Sequence, residues 1–196
     1  MLLFNWQTMH LGQDCWTRLL TLRYRCFVER QGYQVPAYQG MEWDSFDTPY
    51  TQYGLWSHEG EPRACFRLIP TMERYMIPEL WPQLLDCPAP RDPKIWEVSR
   101  LGVLDTLSRA ERRLALAAIA AGLIEACAAL DIHRLVFCSN PKMVRLMFGG
   151  VPVEPLGPMG RIDHHRVQCS AISVTPEAIA QTRVRHPQIA VQRLGH

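Results

Sequence analysis

Residues 107–130 constrain the fold more than any other stretch. Ser108 can act as an N-cap with Glu111 three positions on, a capping box, and a long Ala/Leu run follows. A helix of that composition is predicted to lie at the centre of the molecule, largely buried. The segments on either side change period. Residues 53–57 and 63–69 are strand-like with a hairpin turn at 58–62, and residues 95–103 alternate well enough for another strand. After the long helix, 135–138 reads as a short strand, 141–148 as a helix ended by Gly149-Gly150, 157–160 as a turn and 166–173 as a strand. That order describes an α/β (α+β) sandwich with a mixed central sheet.

With 47% hydrophobic and 20% charged residues, a chain of 196 residues can bury a sizeable core without a disulfide or a structural metal. No linker-like tract divides it, so one domain over 1–196 is expected. A net charge of +2 is too mild for a nucleic-acid binder, whose domains carry a concentrated basic stripe. The cysteines (Cys15, Cys26, Cys65, Cys87, Cys127, Cys138 and Cys169) form no C-x-x-C pair and no Cys/His ligand spacing, and read as reduced core residues. The amino-terminal residues lack the basic region and cleavage site of a signal peptide, and the longest apolar run, 114–121, is far short of the ~20 residues a membrane span needs. The expectation is a cytoplasmic protein with no membrane partner. His164-His165 is no helical ligand pair and reads as a turn, so no metal site is expected.

Apolar residues Leu11, Cys15, Leu19, Leu22, Cys26 and Phe27 recur at three- and four-residue spacing, which predicts an amphipathic helix over 11–30 closed by Gly32. Arg23 shares that spacing with Phe27 and so lies on or beside the buried face. Residues 33–50 hold Pro36, Gly40 and Pro49 without a sustained period, a loop longer than the ~12–15 residues usual in compact domains. Its aromatics Tyr33, Tyr38, Trp43, Phe46 and Tyr50 argue for an ordered lid. The last 20 residues, with Arg183, Arg185 and Arg193, read as a loose polar tail.

Four segments then stand out: Arg23 to Phe27, Glu42-Trp-Asp-Ser-Phe-Asp47, Arg67, and Glu97-Val-Ser-Arg100. They put acids and arginines into stretches otherwise written as core or turn. Arg, Asp and Glu are seldom fully buried unless paired, so these groups are expected to satisfy one another around a polar ligand; the alternative is a solvated face with casual ion pairs. Regular pleating sends Glu97 and Ser99 to one face of their strand and Arg100 to the other, so a bulge or strand end is needed to bring Glu97 and Arg100 into one pocket. Phosphate-loop, dinucleotide-binding, zincin and serine-hydrolase motifs are all absent. What remains suits a zwitterionic small molecule: arginine forks hold a carboxylate, Asp or Glu holds an ammonium or sulfonium, and Phe27, Tyr33 or Trp43 offers a stacking face. The strand, loop and long helix over 97–130 compare with Gcn5-related N-acyltransferases. Here, however, the loop 104–109 holds no glycine with which to nest a pyrophosphate. Arg109, Arg112 and Arg113 at the helix start suit an acidic carrier protein, or form a solvated turn.

Taken in order, Arg23-x-x-x-Phe27, Met41-Glu-Trp-Asp44-x-Phe-Asp47, Arg67-Leu-x-Pro-Thr71, Tyr75-Met76 and Trp96-Glu97-x-Ser-Arg100 closely resemble the acyl-homoserine lactone synthases, the LuxI-type autoinducer synthases. The resemblance implies a Gcn5-related N-acyltransferase-like three-layer sandwich. It also implies S-adenosylmethionine as a substrate, no cofactor, and acyl carrier protein or acyl-CoA as the acyl donor. The family's functional positions fall on Arg23, Phe27, Asp44, Asp47, Arg67, Glu97 and Arg100, and Tyr33 stands where the family usually has Trp. Arg23, Phe27 and Tyr33 are thereby assigned to S-adenosylmethionine. Glu97, Arg100, Asp44, Asp47 and Arg67 are assigned to catalysis, with Glu97 as base. Phe137, Ser139, Met143 and Met147 are assigned to the acyl pocket. No Thr occurs around 136–139, which favours an unsubstituted or unusual acyl group unless Ser139 takes that role. Two rival readings are a Gcn5-related acyltransferase acting on another amine and a non-enzymatic metabolite-binding regulator.

Overall fold

The computed structural model describes residues 1–12, 14–186 and 191–194. In chain order its elements are β1 (Leu2–Phe4), α1 (Cys15–Arg23), β2 (Ala37–Tyr38), β3 (Met41–Glu42), β4 (Gln52–His58), β5 (Glu61–Pro70), α2 (Met76–Leu80) and β6 (Ile95–Val103). There follow α3 (Arg109–Ala129), β7 (Arg134–Ser139), α4 (Pro141–Phe148), β8 (Val153–Ile162), β9 (His165–Ser173), α5 (Pro176–Arg185) and β10 (Gln192–Arg193). Eight strands form one sheet in the order β10-β1-β4-β5-β6-β7-β9-β8, and β2 and β3 form a separate hairpin. The pairs β1–β10 and β6–β7 are parallel and the rest antiparallel, so the sheet is mixed as expected.

The α3 helix supplies the crossover between the parallel strands β6 and β7. Ser108 and Glu111 complete the capping box, and Ala118, Ile119, Leu123, Ala126 and Cys127 are buried. This apolar face joins α4 and α5 on one side of the sheet. On the other side lie α1, the 24–51 segment, α2 and the 82–85 turn. A second, smaller core there gathers Phe46, Ile69, Tyr75, Met76, Ile77, Leu84, Val136 and Cys169.

Four expectations are corrected. The first helix starts at Cys15 rather than residue 11, because Leu11 belongs to a separate turn and is exposed. Its last part, Tyr24–Glu29, widens to a π-helix, a geometry that recurs at functional sites. The Gly-Pro-Met-Gly stretch at 157–160 is no turn; it lies inside edge strand β8, at a register shift between Pro155 and Met159. Glycine is required there because a Cβ on Gly157 would sit 2.1 Å from the Leu84 carbonyl oxygen. The polar tail contains α5, opened by a Thr175 side-chain cap, and β10; residues 187–190 and 195–196 of it lie outside the described residues.

Where β5 meets β6 the ladder slips, with Cys65 opposite Gly102 but Arg67 opposite Ser99. The extra residue is accommodated by Arg100, which adopts φ +49°. This is the bulge the strand needed. Next to it, Gly102 has no side chain to hold off Cys26 and Phe27, whose atoms lie 3.2 Å from where its Cβ would be.

Candidate active site

The bulge decides where the charges meet. Arg67, Ser99 and Glu97 leave β5 and β6 on the face covered by α1, and the φ +49° turn at Arg100 brings that side chain to the same cluster. From above, the 33–51 segment lowers Glu42, Asp44 and Asp47 onto it.

Arg23, fully buried in the last turn of α1, donates its Nε to Glu42 at 2.6 Å and both terminal nitrogens to Asp47 at 2.7 and 3.0 Å. Arg67, also fully buried, donates to Asp44 at 2.6 and 3.1 Å, to Asp47 at 2.9 Å and to the Ser99 hydroxyl at 3.0 Å. Arg100 reaches Glu42 at 3.0 Å and Asp44 at 2.7 Å. Tyr53 donates its hydroxyl to Asp47 at 3.1 Å. Three arginines therefore interlock with three acids, and each carboxylate bridges at least two of the arginines. The acids respond as this geometry requires. Burial works against a charged Asp47, but Arg67 and Arg23 outweigh it and hold the carboxyl well below its usual range; Arg67 and Arg100 do the same for Asp44.

Glu97 stands apart from this lattice. Its two oxygens accept the backbone N–H groups of Met76 at 3.0 Å and Ile77 at 2.9 Å, at the start of α2. With no arginine bonded to it, burial dominates and pushes it up to about 7, against the pull of those two amides. Met76 connects the parts: its amide holds Glu97 and its sulfur accepts from Arg67 at 3.0 Å. Glu97 is also the last residue of β6 paired with β7, opposite Val136; the ladder ends there while both strands run on. An ionisable carboxyl poised near neutrality, at the point where two strands stop pairing, can accept a proton from a group bound in the gap.

Phe27 lies under the Arg100 guanidinium, 5.5 Å from ring centre to carbon, and Tyr33 stacks on Phe27 with centroids 6.2 Å apart. Arg23, Phe27, Tyr33, Asp44, Asp47, Arg67, Glu97 and Arg100 thus come together on one face. Arg23 is fully buried with its donors committed to Glu42 and Asp47, so it holds acids. Of the lid aromatics only Phe46 is buried, whereas Tyr38, Trp43 and Tyr50 are exposed; carboxylates order this loop more than rings do.

The four residues assigned to an acyl pocket are dispersed. Ser139 lines a cavity of about 320 Å³ on the opposite face of the sheet, together with Val144, Phe148, Val153, Gln168 and Ser170. Phe137 and Met147 are buried in the main core, and Met143 is exposed on α4. Glu42, Met76 and Ser99 received no role from the sequence. Glu42 had a visible signal, an acid two and five residues from two others with aromatics between, whereas the sulfur and hydroxyl contacts had none. Among the described residues no group of three or more His, Cys, Asp or Glu could hold a metal ion, and no helix is long and apolar enough to cross a membrane.

Comparison with known proteins places these observations in context. A family model described as autoinducer synthase matches residues 8–169. An acyl-homoserine-lactone synthase of Acinetobacter nosocomialis is 29% identical over 174 residues, 84% of this chain and 95% of that one. One of Aeromonas salmonicida is 38% identical over 86 residues, 43% of this chain and 42% of the relative's length. Among solved structures, the CoA-dependent acyl-homoserine lactone synthase BjaI with SAM and isopentyl-CoA aligns over 100% of this chain and 93% of its own, with a TM-score of 0.88 and 26% identity. The CoA-dependent synthase MesI gives 0.82 and 26% over 100% and 99%. An acyl-CoA N-acyltransferase from Pseudomonas aeruginosa, at 14% identity over 82% of this chain and 91% of its own, shares the fold alone with a TM-score of 0.53.

Proposed function

The chain belongs to the autoinducer synthase family, and on that premise we propose that it makes an acyl-homoserine lactone from S-adenosylmethionine and an acyl thioester. The observation that carries the reading is Glu97, a buried carboxyl poised near neutrality beside a closed lattice of three arginines and three acids. An ammonium is no nucleophile. Glu97, directly or through water, takes a proton from the α-amine of S-adenosylmethionine, which then attacks the thioester carbonyl. The carbon–sulfur bond of the thioester breaks and the thiol leaves. The methionyl carboxylate next attacks its own γ-carbon, whose bond to the sulfonium breaks, so that methylthioadenosine departs and the lactone ring closes. No cofactor takes part.

In this reading Arg100, the most accessible of the three arginines, meets substrate with Phe27 and Tyr33. Arg23, Arg67, Asp44 and Asp47 fix the loop that closes over it. Tyr33, in place of the family's usual Trp, keeps a ring face over Phe27. Acyl-CoA is the favoured donor, since the two CoA-dependent synthases align over the whole chain; acyl carrier protein is the alternative. The cavity lined by Ser139, Val144, Phe148 and Val153 is the candidate acyl pocket, and the reaction belongs in the cytoplasm, where both substrates are made.

The test is mass spectrometry of the purified protein with S-adenosylmethionine and a panel of acyl-CoA and acyl-carrier-protein thioesters. Methylthioadenosine together with one acyl-homoserine lactone supports the reading and names donor and chain. An acylated amine without lactone makes the protein an ordinary N-acyltransferase.

A further inference from the structure

The reaction above leaves two sulfurs unused beside it. Cys138 on β7 and Cys169 on β9 are direct partners in an antiparallel ladder, so their side chains leave the sheet on one face. It is the Glu97 face, because Val136, two residues before Cys138, is the partner of Glu97. Direct antiparallel partners have Cα atoms about 4.5 or 5.5 Å apart, and disulfides span about 4.4–6.8 Å, so a bond between them asks little of the backbone. The two thiols are neighbours across the ladder. Cys169 is buried, whereas Cys138 is half-buried where β7 has lost β6 as a neighbour, so a small reagent meets Cys138 first. Cys26 and Cys65 also lie near one another, but both are buried out of reach.

We propose that Cys138 and Cys169 form a modification site, a dithiol that a peroxide converts reversibly to a disulfide, and that this bond turns the acyl-transfer site off. The sulfur of Cys138 attacks a peroxide oxygen, the O–O bond breaks, and one water leaves a sulfenic acid behind. The sulfur of Cys169 then displaces the sulfenic oxygen as a second water, so that two thiols and one peroxide give one disulfide and two waters. One half-buried and the other buried, the two thiols react more slowly than the exposed Cys87. The consequence reaches both faces of the sheet. Both sulfurs lie close enough to Glu97 to feel its charge, so tying them into one rigid bridge reshapes the gap beside Glu97, and Ser139, Gln168 and Ser170, which adjoin the two cysteines in sequence, carry the restraint to the cavity on the far side.

The protein and its Cys87→Ser variant are treated with hydrogen peroxide, unfolded in excess N-ethylmaleimide, weighed intact and peptide-mapped, before and after dithiothreitol. The expected result is two fewer adducts than the thiol count in Cys87→Ser, with the further loss of Cys87 in the unsubstituted protein, a crosslinked peptide pair containing Cys138 and Cys169, and turnover that falls with this bond and returns on reduction. Cys169→Ala, with folding checked by circular dichroism, is expected to keep its turnover under the same oxidant. Full alkylation of Cys138 and Cys169 after peroxide has consumed Cys87 would overturn the site, and a 138–169 bond without change in turnover would overturn the switch. The thiol count depends on no substrate, so its failure is distinct from failure of the lactone synthase reading.

Discussion

The α3 helix and the 33–51 segment are both tied into the interior, but by opposite chemistry. The helix buries Ala, Ile, Leu and a cysteine and satisfies its own backbone, with a side-chain box closing its start. The segment has almost no regular structure and buries Glu42, Asp47 and Thr51 with Phe46 as its main apolar anchor. Apolar burial is non-directional and tolerates small rearrangements. A buried carboxylate does not: with all its arginines in place it is satisfied, and with one missing it strands a charge in a medium that cannot solvate it. The region that must meet substrate is thus held by the more brittle device, which fixes atomic positions better than an apolar contact does.

The contrast predicts its own tests. Asp47→Ala takes one of two acids from both Arg23 and Arg67, so that three buried arginines face two acids, and leaves the Tyr53 hydroxyl without its acceptor, at a cost of about 3–5 kcal/mol. The urea midpoint should fall, and amide exchange should rise in 33–51 while α3 stays protected; equal loss in both regions would remove the distinction. Glu97→Gln is expected to keep the fold and lower turnover about 10²–10⁴-fold. Wild-type turnover should rise with pH through about 7 as Glu97 gives up its proton, and a variant that still turned over fully would exclude Glu97 as base.

Stability should follow pH with two limbs of opposite sign. Asp44 and Asp47 are depressed below an unfolded value of about 3.9, so their contribution is complete above it and is lost as pH falls below about 4. Glu97 is raised, so the folded state binds the extra proton, and stability declines as pH rises from about 4.5 to about 7. Denaturation midpoints across this range should therefore peak near pH 4–5, and Glu97→Gln should flatten only the upper limb. The smallest effect is expected of Ser108→Ala, which removes the α3 cap at about 1 kcal/mol and leaves turnover unchanged.

Local patterns were readable in proportion to how locally they are decided. The α3 boundaries followed from Ser108, Glu111 and the Ala/Leu run, and β6 from its alternation. The need for a bulge between Glu97 and Arg100 followed from the pleat, yet nothing in Val98-Ser99 says which residue will take the positive φ; that depends on β5 pairing across from it. The 157–160 stretch misled because glycine and proline usually mark turns, whereas here Leu84, distant in sequence, requires the missing Cβ. The site showed the same division. Arginine and acid types announced a cluster, but the place of Glu42 between Arg23 and Arg100 emerges only once the β2–β3 hairpin has folded over the sheet.

The irregularity of β8 also bears on how copies of this chain behave toward one another. As the outermost strand of the eight it has no further strand beside it among the described residues, the sort of border onto which a second molecule can add one. Pro155 and Pro158 carry no N–H to offer, and the shifted register between Pro155 and Met159 breaks the even spacing that a guest strand would need. The same few residues that let Leu84 dock from within make this border a poor template from without, and so protect a crowded solution of the protein against sheet-to-sheet aggregation.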